Sequence, residues 1–425
     1  MKQIRTLLRE RTTAEVVVNT IGNYLNIFFS VLYVVIIARF FTPSENGIYI
    51  VLFTLVYVFT NIFDFGTSAT IYSYLPSMLQ DKTKSFSFLK ITFVYQTILA
   101  TAALIVLSLL INPINNDWLK LHVPFRYFIW AFGTIPLLIW QNFILNTLYA
   151  SRRFFTANVL INMINITRLL LLLLFKIYGI LNLEWLLIIF GPLAPILFIL
   201  LIVVIYPKLP KQFIEASLVR KHLNLGYSFV FFIATQLYFI ASRLDLFIIA
   251  HFLTKTEVGY YGLAQKIVFS ILTTISSVTQ VLSPQFSVVK TKSQVNLLMR
   301  RFGIFCILPI GLLIGAIITP DFIYNLVFSI QYAAMPPVAK LLSGVNIFFV
   351  VMQIPMLFFL YAVKKPKYVL ISNAILLTII GVGSYYGAQN YGLFGPPLAL
   401  LASYIIVTIY AYYIFFKELK GLPNK

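Results

Sequence analysis

Two stretches of this chain, Ile91–Ile111 and Trp185–Tyr206, are apolar runs of 21 and 22 residues without one charged side chain. Wound as helices at about 1.5 Å per residue, each is long enough to cross the roughly 30 Å hydrocarbon core of a bilayer. Composition makes this the rule for the chain, because 60% of its residues are hydrophobic and 10% charged, with a mean hydropathy of +0.92. A soluble domain runs at roughly 45–50% apolar and about 25% charged, so a soluble fold would leave large apolar areas in water. The short alternating segments of about ten residues that build an outer-membrane barrel are absent. The chain therefore reads as an all-α polytopic membrane protein.

Twelve spans are expected, at roughly 14–38, 47–78, 88–112, 124–150, 155–178, 181–206, 225–252, 257–287, 298–319, 335–362, 368–387 and 392–416. The basic start MKQIRTLLRER precedes an apolar run too long for a cleaved signal, so it reads as the approach to a first membrane helix. The N-terminus and every second loop hold 23 of the 32 Lys and Arg residues, and the alternate loops and helix ends only five. Positive charge collects on the cytoplasmic side, which puts both termini there and makes the protein multi-pass in the plasma (inner) membrane. The same dispersal explains the net charge of +20 without nucleic acid.

The chain is also written twice. ARFFTPSENGIY at Ala38–Tyr49 returns as AHFLTKTEVGYY at Ala250–Tyr261, an offset of 212 in 425 residues. The same offset relates Leu148–Arg153 to Leu360–Lys365, and Phe190-Gly191-Pro192 returns as Phe394-Gly395-Pro396. Two six-span halves follow, 1–206 and 225–425, joined by a cytoplasmic linker at 207–224. An even number of spans per half makes them parallel repeats, an arrangement transporters use with the substrate between the halves and rocking for alternating access. Glu45 and Glu257 recur inside the repeated loops, where neighbouring Thr and Gly suit helix capping.

Polar residues within the spans fall on stripes. Asn19, Asn23 and Asn26, with Ser30, share one face of span 1, and Asn158, Asn162 and Asn165 one face of span 5, near Arg168. Lys266, Ser270, Thr273, Ser277 and Gln280 form a stripe on span 8. Such residues either glue helices together or line a wet cavity, and several in register over three turns point to a cavity wall. Four cations lie within spans, Arg168, Arg243, Lys266 and Lys340, against two carboxylates, Asp64 and Asp245. Each central charge costs roughly 2.5–3.5 kcal/mol on insertion scales, so each needs a partner or water. Lys340 lies near a helix end and can snorkel. The remaining surplus asks for a buried anionic ligand such as a phosphate or pyrophosphate.

Other chemistries find little support. A single cysteine, Cys306, rules out an internal disulfide, and His122, His222 and His251 are too scattered for a metal site. The outward loops are short, near Asn112–Val123 and Pro320–Met335, and hold no paired carboxylates of the kind a membrane-embedded glycosyltransferase or polysaccharide polymerase would use. An exporter of organic cations would want acidic or aromatic walls. The 26 Tyr and 40 Phe keep that reading open, and the cation surplus opposes it.

Ile36–Tyr49, Arg243–Ile249 with Glu257–Lys266, and Leu326-Val327-Phe328 with Tyr332-Ala333-Ala334 together resemble the Wzx-type polysaccharide-exporting flippases. These belong to the multidrug/oligosaccharidyl-lipid/polysaccharide exporter superfamily, and the resemblance covers nearly the whole chain. It implies two six-helix lobes in a V around a cationic cavity lined by helices 1, 2, 7 and 8. It further implies movement of polyprenyl-(pyro)phosphate-linked oligosaccharide repeat units to the outer leaflet for cell-surface polysaccharide such as O-antigen. Arg39, Arg243, Asp245 and Lys266 fall in the matching motifs, whereas Arg168 stands on its position alone. The related lipid II flippases usually carry two more helices, which makes a peptidoglycan precursor the lesser expectation.

The mechanism so implied has no cofactor and no catalytic residue. The headgroup engages Arg168, Lys266 and Arg243, with Arg39 in the same motif set, and the Asn stripes bond the sugars. The polyprenyl tail stays among membrane lipids, and a proton or sodium gradient would act through Asp245 or Asp64. Polysaccharide polymerase and chain-length machinery are the protein partners implied.

Overall fold

The structure is a computed structural model. It describes residues 11–219, 225–287, 289, 291–363, 365 and 367–423, with backbone alone at 11–20, 69, 73, 225–231, 234, 235, 276–278, 280–285, 287 and 361. The described residues form helices and their connections, with no strand among them.

In chain order the helices are α1 (Arg11–Phe40), α2 (Pro43–Ile62), α3 (Thr67–Met78), α4 (Lys82–Leu109), α5 (Phe125–Ala150) and α6 (Phe154–Ile177). Then come α7 (Leu183–Phe190), α8 (Leu193–Ile205), the short α9 (Leu209–Glu215), α10 (Leu225–Phe252) and α11 (Lys255–Ser287). The last are α12 (Lys292–Ile318), α13 (Asp321–Phe328), α14 (Met335–Leu357), α15 (Lys367–Tyr391) and α16 (Gly395–Lys420). Every expected span lies on helix. Among the described residues, nine segments are long and apolar enough to cross a membrane, the last of them, Lys367–Lys420, containing both α15 and α16.

Two spans expected to be continuous are broken. The second is cut between α2 and α3, where Phe65 and Gly66 both adopt positive φ, 48° and 76°. The sixth is cut between α7 and α8 at Gly191-Pro192. Proline there lacks the amide that an unbroken helix needs, and its fixed φ suits the opening of α8. The repeated Phe-Gly-Pro tripeptide works the same way in the second half, where Gly395 and Pro396 open α16. Spacing and hydropathy alone do not reveal such breaks, because the apolar run continues through them.

The chain divides into two compact units. One comprises residues 1–30 and 52–233, the other residues 31–51 and 234–425. Unit 1 is packed around Ala157, Leu160 and Ile164 of α6 against Ala194, Phe198 and Ile202 of α8, with Leu148 of α5. A second cluster joins Ile71 and Leu75 of α3, Phe88 and Leu89 of α4, and Phe143 and Ala150 of α5. In unit 2 the central element is α14, whose residues from Met335 to Leu357 are buried on most sides and which packs against α11, α12 and α16. Its C-terminal end is stapled by Lys365, which donates to Glu418 at 2.7 and 2.8 Å beside the Tyr368 hydroxyl at 2.6 Å. The Glu418 bond lifts the Lys365 ammonium above the ordinary lysine range.

Candidate functional site

The first candidate wall, the Asn stripes, proves to be a helix seam within unit 1. Asn165 donates from Nδ2 to Asn26 Oδ1 at 2.9 Å, and Asn162 donates to the Asn158 carbonyl at 2.8 Å and to the Gly22 carbonyl at 3.4 Å. Asn158 and Asn165 are 5% and 3% exposed and pack α6 against α1. Asn162 keeps its Oδ1 without a partner among the described residues. Asn23 is partly buried and Asn26 exposed. The side chains of Asn19, Ser277 and Gln280 lie outside the described residues.

The seam depends on Gly22. A Cβ there would stand 2.2 Å from Asn158 Oδ1 and 2.6 Å from Asn158 Cβ. Gly22→Val is therefore expected to force α1 off α6 and lose the Asn165–Asn26 and Asn162–Gly22 bonds, at about 1–3 kcal/mol for overpacking. The temperature at which the detergent-purified protein loses its monodisperse peak should fall, and an unchanged temperature would show that α1 does not pack this closely.

The cations find more partners than their sequence positions suggest. Arg168 donates through Nη2 to the Phe190 carbonyl at 3.2 Å and lies 5.4 Å from the Phe190 ring centroid. That carbonyl closes α7 at the break, where helix-end oxygens carry partial negative charge. Arg39 does the same for α13, its Nε donating to the Val327 carbonyl at 2.9 Å and its Nη2 to the Leu326 carbonyl. Arg39 is exposed, and these bonds place part of its guanidinium at a helix C-terminus. Lys340 pairs with Asp321 at 2.5 Å, a carboxylate at the start of α13 that the count of charges inside the spans left out. The cation surplus thus narrows, because backbone dipoles and the carboxylate at the start of α13 serve as partners that charge counting does not register.

Asp64 stands at the α2–α3 break. Its carboxylate accepts from the hydroxyls of Thr67 and Ser68 at 2.9 and 2.8 Å, the Ser68 amide at 3.3 Å and Gln96 Nε2 at 3.1 Å. Asn146 from α5 extends the network by donating to Ser68 Oγ at 2.6 Å. Four donors account for this carboxylate locally, at the positive end of α3.

What remains is a compact polar cluster in unit 2. Asp245 of α10 is 1% exposed. Its Oδ2 accepts from the Tyr261 hydroxyl at 2.5 Å and from Gln265 Nε2 at 3.0 Å, and its Oδ1 from the Leu246 amide at 2.8 Å. Gln265 links Arg243 to this carboxylate: Arg243 Nη1 donates to Gln265 Oε1 at 3.3 Å, while the guanidinium lies 4.3 Å from the Phe269 ring centroid. That agrees with side chains two apart on a helix pointing to different sides. Lys266 is partly buried, with its ammonium 4.5 Å from the centroid of Tyr49, and its charge and that of Arg243 act on each other. The cluster thus gathers two basic side chains and one carboxylate. Ser270 and Thr273 continue the Lys266 stripe but turn their hydroxyls back to the carbonyls of Lys266 and Ser270, at 2.8 and 2.6 Å.

Sequence reasoning passed over Tyr49, Tyr261 and Gln265. The first two are repeat mates at offset 212, and each now attends a charged member of the cluster. Gln265 lies one turn from Tyr261 on α11, and that i, i+4 spacing was the available signal.

The repeated loops meet in the same unit. Glu45 accepts from the Thr42 amide and hydroxyl, both at 2.9 Å, and Glu257 from those of Thr254 at 2.9 and 2.7 Å, two equivalent capping boxes. The helices that they open touch through glycines: a Cβ on Gly47 would lie 2.0 Å from the Lys255 carbonyl oxygen, and one on Gly259 2.0 Å from that of Pro43. Tyr332 adds a bond from its hydroxyl to the Phe41 carbonyl at 3.3 Å.

Comparison with known proteins follows the same line. A structure described as the lipid II flippase MurJ in an inward closed conformation superposes with a TM-score of 0.71 at 14% identity, covering 93% of this chain and 87% of that one. An inward-facing multidrug resistance MATE family transporter of the MOP superfamily gives 0.74 at 10% identity, over 93% and 95%. The Vibrio cholerae MATE transporter VcmN in the bent form gives 0.53 at 14% identity, over 96% and 98%. At such identities these likenesses establish the fold alone, which the chain shares with these MurJ and MATE structures. No curated protein matches the chain. Residues 12–290, well over half the chain, match the family described as polysaccharide biosynthesis protein, and the chain belongs to that family.

Proposed function

We propose that this protein is a flippase that moves polyprenyl-(pyro)phosphate-linked oligosaccharide from the cytoplasmic to the outer leaflet of the plasma membrane, by alternating access. The observation that carries the reading is the pair Arg243 and Lys266, two cations around one buried carboxylate, in a chain of a polysaccharide biosynthesis family. Two basic side chains brought into one unit suit an anionic headgroup, and a phosphate accepts charge-assisted bonds from both. Arg168, in unit 1, supplies a further cation at a helix break. Asn162, with an acceptor oxygen to spare, is the member of the Asn stripe best suited to a sugar hydroxyl.

The loop charges put both termini in the cytoplasm. The protein performs transport without bond-making chemistry or a cofactor, and its product passes to the polymerase and chain-length machinery. A gradient of protons or sodium would act through Asp245, since the Asp64 carboxylate is taken up by its helix break.

The likeness to multidrug transporters favours a second reading, export of organic cations. Lipid extracts decide between them. Cells lacking the gene are expected to accumulate a polyprenyl-(pyro)phosphate-linked oligosaccharide by mass spectrometry, whose mass identifies the cargo. An unchanged lipid pool with intact surface glycan would instead favour the multidrug exporter.

A further inference from the structure

We propose that unit 1 carries a site for the phosphate of an anionic inner-leaflet phospholipid, formed by Arg153, Thr156 and Tyr206 at the membrane surface. It uses none of the headgroup residues named above and does not depend on which cargo is carried. The two halves of the chain build one constellation from different side chains. In the second half Lys365 and Tyr368 both donate to the Glu418 carboxylate, at 2.7 and 2.6 Å. The residues 212 positions earlier are Arg153, Thr156 and Tyr206, and they meet in the same pairs. The Arg153 guanidinium lies 5.0 Å from the Tyr206 ring centroid, and the Thr156 and Tyr206 hydroxyls are 3.4 Å apart. The helices keep the same register, since α7 opens at Leu183 and α16 at Gly395, again 212 residues apart. One member has changed in kind. Where the second half places a carboxylate the first places a phenol, so the cation remains and its protein anion is gone.

A ring face replaces a carboxylate only in part. Stacking leaves the edge of a guanidinium uncovered, and that edge carries its N–H donors. Among the described residues no protein group accepts a hydrogen bond from Arg153 or pairs with it as an anion. A phosphate supplies the missing partner, accepting in the paired geometry that arginine favours and from the two hydroxyls. Arg153 also precedes α6, whose first turn has no side-chain cap, so the positive end of that helix adds to the attraction. Arg152 and Lys208, each within two residues of the stacked pair in sequence, are exposed. The surroundings suit a lipid better than a free phosphate. Ile196, Leu200 and Val204 form an exposed apolar stripe along α8 that ends at Tyr206, and Pro207 and Lys208 follow at once. That change from apolar to charged marks the headgroup level, where Tyr, Arg and Lys concentrate. Loop charge puts this end of unit 1 in the cytoplasm, beside the leaflet that holds the anionic lipids. A phosphate at Arg153 then leaves its acyl chains at the depth of the α8 stripe.

Native mass spectrometry of the full-length protein, delipidated in detergent and titrated with phosphatidylglycerol, tests the site. Wild type is expected to keep a phosphatidylglycerol through collisional activation that strips further copies. Arg153→Gln should weaken that binding about tenfold, the loss of a charge-assisted bond. Tyr206→Glu restores the carboxylate of the second half, which occupies Arg153 and repels a phosphate, and should weaken binding about tenfold or more. It also serves should Arg153→Gln give poor yield, because the second half already folds around such a carboxylate. Removing two exposed charges at the end of α16, with Lys417→Gln and Lys420→Gln together, should leave binding within about twofold, since salt screens charges that do not touch the lipid. Undiminished binding in Arg153→Gln and Tyr206→Glu would overturn the site. An equal loss in the double lysine variant would overturn it too, reducing the binding to the general charge of the cytoplasmic face. Glycerol phosphate bound as tightly as the lipid would overturn the assignment to a phospholipid. So would a polyprenyl phosphate bound where phosphatidylglycerol is not, which would make the site one for cargo.

Discussion

Lys266→Ala should lower transport of the glycan-lipid about ten- to hundredfold while leaving the yield of folded protein unchanged. A hydrogen bond between charged partners contributes roughly 1.5–3 kcal/mol, and about 1.4 kcal/mol is a factor of ten. The stability side is smaller. In the structure the ammonium lies over the Tyr49 ring, an interaction of about 0.5–2 kcal/mol, and its removal also relieves repulsion with Arg243. Charge and shape can be separated. Lys266→Arg keeps the cation and should retain most transport, while Tyr49→Phe keeps the ring face and should behave as wild type. Tyr49→Ala leaves the ammonium without its platform and should fall between them. The measurement is appearance of a labelled polyprenyl-pyrophosphate glycan in the outer leaflet of proteoliposomes. Wild-type rates from Lys266→Ala would remove Lys266 from the site.

Much of the fold is legible in the amino-acid order because a bilayer enforces a single local solution. Every backbone amide must be paired within the segment, so a long apolar run means a helix. The breaks at Phe65-Gly66 and Gly191-Pro192 are less visible, since Asp64 and Arg168 satisfy the freed ends with side chains from the same run or a neighbouring helix. Charge arithmetic fails for the same reason. It counts Arg168 and Lys340 as cations short of a partner, although the C-terminus of α7 and Asp321 serve them. The Asn stripes have the periodicity of a wall, but a wall and a seam share one period. Only the burial of Asn158 and Asn165 against α1 separates them. The Arg243, Asp245 and Lys266 cluster was readable as charges, whereas its wiring was not, because Gln265 carries no charge to count.

Gly259→Val and Gly47→Val should each be severe, reducing both thermal stability and transport. The Cβ of either residue would lie 2.0 Å from a backbone carbonyl oxygen of the facing turn, and no rotamer change can move a backbone atom. Both turns are stiffened by their capping boxes, Thr42 with Glu45 and Thr254 with Glu257, so neither yields easily. Separation of the turns would also strain the Tyr332 bond to the Phe41 carbonyl and the Arg39 bonds to the end of α13. Overpacking costs about 1–3 kcal/mol where side chains can give way, and the backbone case belongs at or above the upper end. Gly262 supplies the control. A Cβ there would meet Ile50 Cγ2 at 2.6 Å, a side-chain contact, so Gly262→Ala should be milder and should recover when combined with Ile50→Val. If opening toward the outer leaflet requires the two turns to part, the valine variants should also label faster than wild type at a cysteine introduced beside Gly47. Wild-type melting and transport in Gly259→Val would show that the repeated loops do not meet through their glycines in the membrane.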